Sequence, residues 1–253
     1  MRLIRTWLIL LLPLTLASCM DTREEMQINK DGSGSLALKT DIGKMVEMMK
    51  SFTSDSDLQK QGLDKPFDTI MLLKSYLDTA QNVPADKKAS LQDGQIHVIL
   101  NVKENVGKFD ILFPFRSEEQ VSQLYQSLSS ISGGLKNVMG NLGGSNTQEQ
   151  GDKGLPQLTF VYDVSIKKGI YSRKVNKERY SVFSQDMKLD QLKQLSSVLG
   201  TMNYTLALTF PQPIKKTSNA KAVLSNGNKT ATLSVDLLEA FEHPELLELE
   251  IEY

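Results

Sequence analysis

Few side chains in this sequence are equipped for chemistry. The 253 residues include one cysteine and two histidines, with 29 Lys and Arg against 30 Asp and Glu. Cys19 has no second cysteine to pair with, which excludes an intramolecular disulfide and a cysteine-cluster metal site. Two histidines fall short of a three-histidine zinc site. His97 lies on the polar side of an alternating segment and His243 precedes Pro244. Neither has a carboxylate at ligand spacing, and no His-Glu-x-x-His or Gly-x-Ser-x-Gly pattern occurs. The sequence therefore assigns no catalytic residue, no metal and no cofactor, and it predicts that the protein is not an enzyme. A carboxylate pair of the glycosidase type can be distant in sequence, which keeps an undetected hydrolase as a third reading.

Three groups of residues are candidates for binding. Lys167, Lys168, Arg173, Lys174, Lys177 and Arg179 are interrupted by a single acid, Glu178, and could contact an anionic surface such as headgroups or acidic glycans. An acidic run follows near the end of the sequence (Glu239, Glu242, Glu245, Glu248, Glu250, Glu252) and could neutralise that basic stretch across a sheet. Met45, Met48, Met49 and Met71 crowd two expected helices, where methionine either fills core gaps or lines an adaptable apolar pocket. The segment Asn29 to Leu36 resembles the first eight positions of a calcium loop, but Thr40 stands where a bidentate Glu is needed. A hairpin turn is the better reading there. The balanced charge argues against a nucleic-acid partner.

These residues must be positioned by elements that the hydropathy pattern outlines. After a short tether, Glu25–Asn29 and Ser35–Asp41 alternate around a Gly-rich turn, a hairpin signature, and Asp41 can cap a helix carrying Ile42, Met45, Val46, Met49 and Phe52. Residues 54–62 read as loop and 68–80 as a second helix. Gln95–Lys103 and Phe109–Phe115 form another strand pair, leading to a helix opened by Ser117 and Gln120, with Val121, Leu124, Tyr125, Leu128 and Ile131 at helical period. Leu158–Ile166 pairs with Ile170–Val175, and Asp186–Gly200 reads as a helix ended by Gly200. Asn203–Phe210 is a strand, Asn226-Gly227 a tight turn between two more, Leu237–Phe241 a short helix and Leu246–Tyr253 a final strand. A strand pair with an amphipathic helix thus begins near residues 25, 95 and 158. The fold class expected is α+β, with antiparallel sheets built from hairpins and amphipathic helices packed on one face. Residues 19–132 form an N-terminal α+β region and 157–253 a C-terminal one, either separate or one continuous domain. Between them lies a flexible linker, 133–156, where seven of the sixteen glycines fall between Gly133 and Gly154.

The first residues give Cys19 its meaning. Arg2 and Arg5 precede an apolar stretch, Trp7–Leu16, that is too short to cross a bilayer, and Leu16-Ala17-Ser18-Cys19 resembles a bacterial lipobox. That resemblance implies that 1–18 are a cleaved signal peptide and that Cys19 is acylated on its sulfur and its new amino group. Cleavage would remove Trp7, the only Trp, and leave 27 bases against 30 acids, a charge of −3. Met20, not Asp, follows the cysteine, which favours the outer membrane under the sorting rule of enteric bacteria. Asp21, Glu24 and Glu25 behind it are similar to surface-export signals, so the periplasmic or surface face is left open.

With the Asp31-Gly32-Ser33-Gly34 hairpin, the Phe113-Pro114-Phe115 strand running into the Ser117 helix, and the Phe210-Pro211 strand end followed by Asn226-Gly227, the chain resembles the LppM-type bacterial lipoproteins. The resemblance implies a compact α+β body anchored in the envelope with a lipid-accommodating cavity, and it assigns no catalytic residue. The function expected is that of a non-enzymatic binding protein for an apolar or amphiphilic ligand, held to the membrane through acylated Cys19. The alternative is a scaffold or partner-binding component that meets an envelope protein or glycan.

Overall fold

The computed structural model describes residues 20–80, 83–128, 158–186, 190, 193, 194, 196, 197 and 200–253. Strand β1 (Met20–Ile28) turns into β2 (Gly34–Asp41), followed by helices α1 (Gly43–Phe52) and α2 (Asp55–Lys60). Next come β3 (Phe67–Leu72), α3 (Leu73–Thr79), α4 (Ala85–Leu91), and the hairpin β4 (Gln95–Asn101) with β5 (Val106–Phe115). Residues 118–128 are helical (α5). A 3-10 turn (Leu158–Val161) leads to β6 (Tyr162–Lys167), β7 (Ile170–Val175) and α6 (Lys177–Asp186). The remainder holds β8 (Met202–Thr209), β9 (Lys216–Thr217), β10 (Val223–Ser225), β11 (Thr230–Asp236), α7 (Leu237–Glu242), a 3-10 turn (Pro244–Leu247) and β12 (Leu249–Glu252).

Among the described residues the strands form an eight-stranded sheet, β10-β11-β8-β1-β2-β5-β4-β3, and a four-stranded sheet, β6-β7-β12-β9. Pairing is antiparallel except between β1 and β8, where Met20 faces Met202 and Gln27 faces Thr209. The fold is α+β, as the hairpin pattern predicts. One face of the large sheet is apolar (Met26, Leu36, Ile111, Leu206, Leu233) and shares a core with Tyr162, Val164 and Ile251 of the small sheet and with Val121, Leu124 and Tyr125 of α5. Residues from both sides of 133–156 therefore contribute to one core. A smaller cluster, Val46, Leu58, Leu63 and Val102, fastens α1 and α2 to the β4–β5 turn.

Several expectations change. The segment 68–80 is not one helix. Asp68–Leu72 belongs to β3, pairing with β4 and leaving Ile70 62% and Leu72 56% exposed, and only Leu73–Thr79 is helical. Apolar residues at 70, 73, 76 and 77 satisfy a helical period, but backbone pairing with β4 decides the first half. The expected loop 54–62 contains α2, capped by the Ser54 hydroxyl accepting from the Asp57 N–H at 3.2 Å and secured by buried Leu58. Leu158–Val161 is a 3-10 turn preceding the strand, and the last strand starts at Leu249. Residues 20–24, expected as a short tether, belong to β1, whose Met20 is 3% exposed. Gly200, at φ +87, donates to the Ser196 carbonyl at 2.8 Å, which suits a helix terminus. Residues 133–156, and most apolar positions of the expected 186–200 helix, lie outside the described residues.

The β1–β2–β5 packing leaves no room beside Gly34, where an added Cβ would stand 2.0 Å from the Gln27 carbonyl oxygen and 2.4 Å from the Phe115 ring. At Gly227, φ +63, nothing lies within 4 Å. Gly34→Ala should cost about 2–3 kcal/mol in urea unfolding through overpacking, and Gly227→Ala about 1 kcal/mol through backbone strain alone. Equal losses would contradict the packing described.

Candidate functional site

The residue that follows Cys19 is already inside the sheet. Met20 pairs with Met202, Asp21 faces Asp41 on one side and Asn203 on the other, and Asn203 Nδ2 donates to Asp21 Oδ1 at 3.2 Å. Cys19 itself is outside the described residues. Glu24, one of the acids that follow the cysteine, has no solvent exposure. It shares a parity with Met20, Met26 and Ile28, so the β1 alternation turns it toward the core.

Around Glu24 the core is polar. Arg173 Nη1 donates to Glu24 Oε1 at 2.5 Å, and both side chains are fully buried. The same oxygen accepts from the Tyr125 hydroxyl, and Oε2 accepts from Tyr204 and, at 2.8 Å, from Thr159. The Arg173 guanidinium carbon lies 3.7 Å from the centroid of the Tyr162 ring, whose hydroxyl donates to the Pro244 carbonyl at 2.7 Å. Among the described residues, Arg173 Nε, Arg173 Nη2 and the Tyr171 hydroxyl have no hydrogen-bond partner. The ring face of Tyr162 offsets part of that cost by a cation–π contact.

Burial pushes the Glu24 carboxyl up, but the Arg173 charge and the hydrogen bonds from Tyr125, Tyr204 and Arg173 outweigh it, leaving the carboxyl below its ordinary range. Burial also opposes the charge on Arg173, and Glu24 overcomes it, holding the guanidinium protonated. Burial and the Glu24 charge raise the Tyr125 and Tyr204 hydroxyls well above their ordinary value. The group is thus an ion pair inside a ring of neutral hydroxyls. Sealed from solvent, it offers a substrate no route to the carboxylate, and its chemistry is cohesive.

This corrects the placement of Arg173 on an anionic-contact surface: it shares a face with Tyr171 and is fully buried. The other five bases do not make one patch. Arg179 pairs with Asp163, while Lys167, Lys168, Lys174 and Lys177 are exposed. Lys167 and Lys168 sit at the β6–β7 turn, close to Tyr171, whose ring meets Phe210 at 6.0 Å. Phe210 follows Thr209, which faces Gln27, about 23 Å along β1 from Met20 at the usual strand rise. Lys177 opens α6, whose Tyr180 donates to the Phe241 carbonyl at 2.8 Å, back at the Met20 end. Only the last three acids of the run lie beside the basic strand: Glu250 faces Ser172, Glu252 faces Ile170, and Glu248 accepts from the Val175 N–H at 2.9 Å, while Glu242 pairs with Lys193.

Met45 and Met71 pack against the main core, Met49 against the smaller cluster, and Met48 is half-buried. Two surface grooves touch none of them. One, of about 270 Å³, is lined by Ser90, Asp93, Phe115, Arg116, Gln120 and Gln123 among others. The other, of about 370 Å³, includes Ser122, Gln126, Asp163, Ser165, Ser172 and Lys174. Polar side chains dominate both. The turn resembling a calcium loop closes on itself, with Asp31 Oδ1 accepting from the Ser33 N–H at 3.0 Å and from its hydroxyl at 2.7 Å. Both histidines do meet a carboxylate: His97 Nε2 lies 2.7 Å from Asp68 across β3–β4, and His243 Nδ1 lies 3.2 Å from Glu245. No group of three potential ligands that could hold a metal occurs among the described residues.

No family model, curated protein or solved structure matches the chain.

Removing either partner of the buried pair leaves the other uncompensated, so Glu24→Gln or Arg173→Met should each cost about 3–5 kcal/mol. The double variant Glu24→Leu/Arg173→Met should cost clearly less than the sum of Glu24→Leu and Arg173→Met measured singly. Because the Glu24 carboxyl is lowered in the folded protein, its contribution is complete above the unfolded value of 4.5 and is lost as pH falls through the folded value. Urea midpoints against pH should show that acid loss flattened in Glu24→Gln. Additive single-variant costs would contradict the coupling.

Proposed function

We propose that the protein is a bacterial envelope lipoprotein, acylated at Cys19, whose body works by binding and not by catalysis. The observation that carries this reading is the junction at residue 20. A signal-like segment ends in Leu16-Ala17-Ser18-Cys19, and a folded sheet starts on the next residue. A thiol in that position is useful as an attachment point. No helix among the described residues is long and apolar enough to cross a membrane. With two or more acyl chains on Cys19, attachment would be firm without one. The resemblance to LppM-type lipoproteins supports the same placement, and Met20 after the cysteine supports the outer membrane.

Two features support binding as the mode of action. The residues best suited to proton transfer, Glu24 with its tyrosines, are sealed into the core as a structural ion pair. Part of the apolar exposure, in contrast, clusters on the outer face of the large sheet: Ile70 and Leu72 on β3 and, 41% exposed, Leu112 on β5, with Gln95 facing both Leu72 and Leu112. An open face of this kind suits an envelope protein partner better than an enclosed amphiphile. The methionines, packed into core edges, favour the same choice.

Expression of the full chain in a bacterium fed a labelled fatty acid tests the reading. Label should enter the wild type and be absent from Cys19→Ala, which should leave the membrane fraction. Persistent label on Cys19→Ala would refute the attachment site, and turnover of an ester, peptide or glycan substrate by the purified protein would refute the binding role.

A further inference from the structure

The absence of slack between Cys19 and the sheet has an orienting effect, provided that Cys19 is acylated as proposed above. Consecutive Cα atoms are about 3.8 Å apart, so the lipidated residue holds the Met20 end of β1 at the headgroups. The same end carries an end row in which Asp41 of β2 faces both Asp21 and Lys108 of β5. Helix α1 starts beside Asp41, and Ile42 donates to the Gly107 carbonyl at 2.8 Å. Its far end reaches the β4–β5 turn, where Lys50 Nζ donates to the Lys103 carbonyl at 2.8 Å.

Phe52 ends α1 and is 85% exposed, the most exposed large apolar side chain among the described residues. Counting β1-β2-β5-β4 at the usual strand spacing places this turn roughly 10–14 Å to one side of β1. Around it, exposed Lys44, Lys50, Lys103 and Lys108 alternate with Asp41, Glu47 and Glu104. Lys44 pairs with Glu47 at 3.0 Å. The charges nearly balance, so the attraction is apolar: an aromatic ring beside a tethered strand end, at the depth where bilayers accept aromatic side chains.

We infer that the Met20 end of the body is a membrane-docking surface on which Phe52 enters the bilayer interface as a second contact beside the Cys19 acyl chains. Two contacts set apart on one end fix the orientation of the body. The β6–β7 turn with Lys167 and Lys168 then points away from the lipid, and the outer face of the large sheet stands free for a partner.

The test uses the acylated full chain in neutral phosphatidylcholine vesicles containing acyl-brominated lipid. Trp7 leaves with the signal, so Phe52→Trp and Ile170→Trp, the latter beside the β6–β7 turn, each give a single tryptophan. Both positions are exposed, at 85% and 42%, so neither replacement disturbs the core. Emission from Phe52→Trp should fall about twofold or more with brominated lipid and stay reduced in high salt, while Ile170→Trp should not change. Vesicle-bound protein with Phe52→Trp unquenched, or with Ile170→Trp quenched as strongly, overturns the docking surface and leaves the anchor standing. Loss of quenching in high salt assigns the contact to lysines and overturns the role of the ring. Protein that carries no acyl group and fails to float with vesicles overturns the anchor, and the docking surface with it.

Discussion

The Glu24 carboxylate is the point on which the arrangement of the body turns. It belongs to β1, a central strand of the large sheet, and it accepts hydrogen bonds from α5, from the 3-10 turn at Leu158–Val161, from β8 and from β7 of the small sheet. Five elements distant in sequence are therefore held by one side chain. Burying a carboxylate and a guanidinium costs several kcal/mol per ion, which their attraction repays only with good geometry and further hydrogen bonds. Four donors on two oxygens meet that condition for Glu24. What this arrangement secures most directly is register. A slip of β1 by one residue would turn Met26 and Ile28 outward with Glu24 and bring Arg23, Glu25 and Gln27 to the core face.

Register is what links the buried pair to the proposed anchor. With β1 fixed, Met20, the residue after Cys19, sits at the sheet end against Met202. In the proposed attachment, a strand that begins on the residue after Cys19 converts attachment into orientation. The same geometry separates functions along the body. The Met20 end holds α1 and α2, the opposite end holds the lysine turn, and the uncovered sheet face runs between them. Charge that averages near zero over the whole chain is thus distributed by position: a buried pair, a basic turn and an acidic strand beside β7.

Local pattern made the hairpins and the best helices legible. Alternation at 26, 28, 36 and 38, the Asn226-Gly227 turn, and the period of Val121, Leu124, Tyr125 and Leu128 all correspond to observed elements. Non-local constraints were not legible. The parallel pairing of β1 with β8 joins residues about 180 apart and leaves no local signature. β3 was hidden because a six-residue edge strand with apolar residues on both faces also satisfies a helical period. The polar centre could have been found by parity: Glu24 is in phase with Met26 and Ile28, and Arg173 with Tyr171 and Val175. Charge was a stronger cue than phase, so Arg173 reads as a surface base and Glu24 as one acid of the run behind the cysteine. Pairing His97 with Asp68 required β3 and was lost with it.

The central claim is that Cys19 carries lipid and that the folded body begins one residue later. Intact-mass measurement on the protein extracted from bacterial membranes examines it most directly. A mass equal to residues 19–253 plus a diacylglyceryl group and an N-terminal acyl chain is the result predicted. The unmodified mass of the 253-residue chain, or of a processed chain with a free Cys19 thiol, would contradict the account.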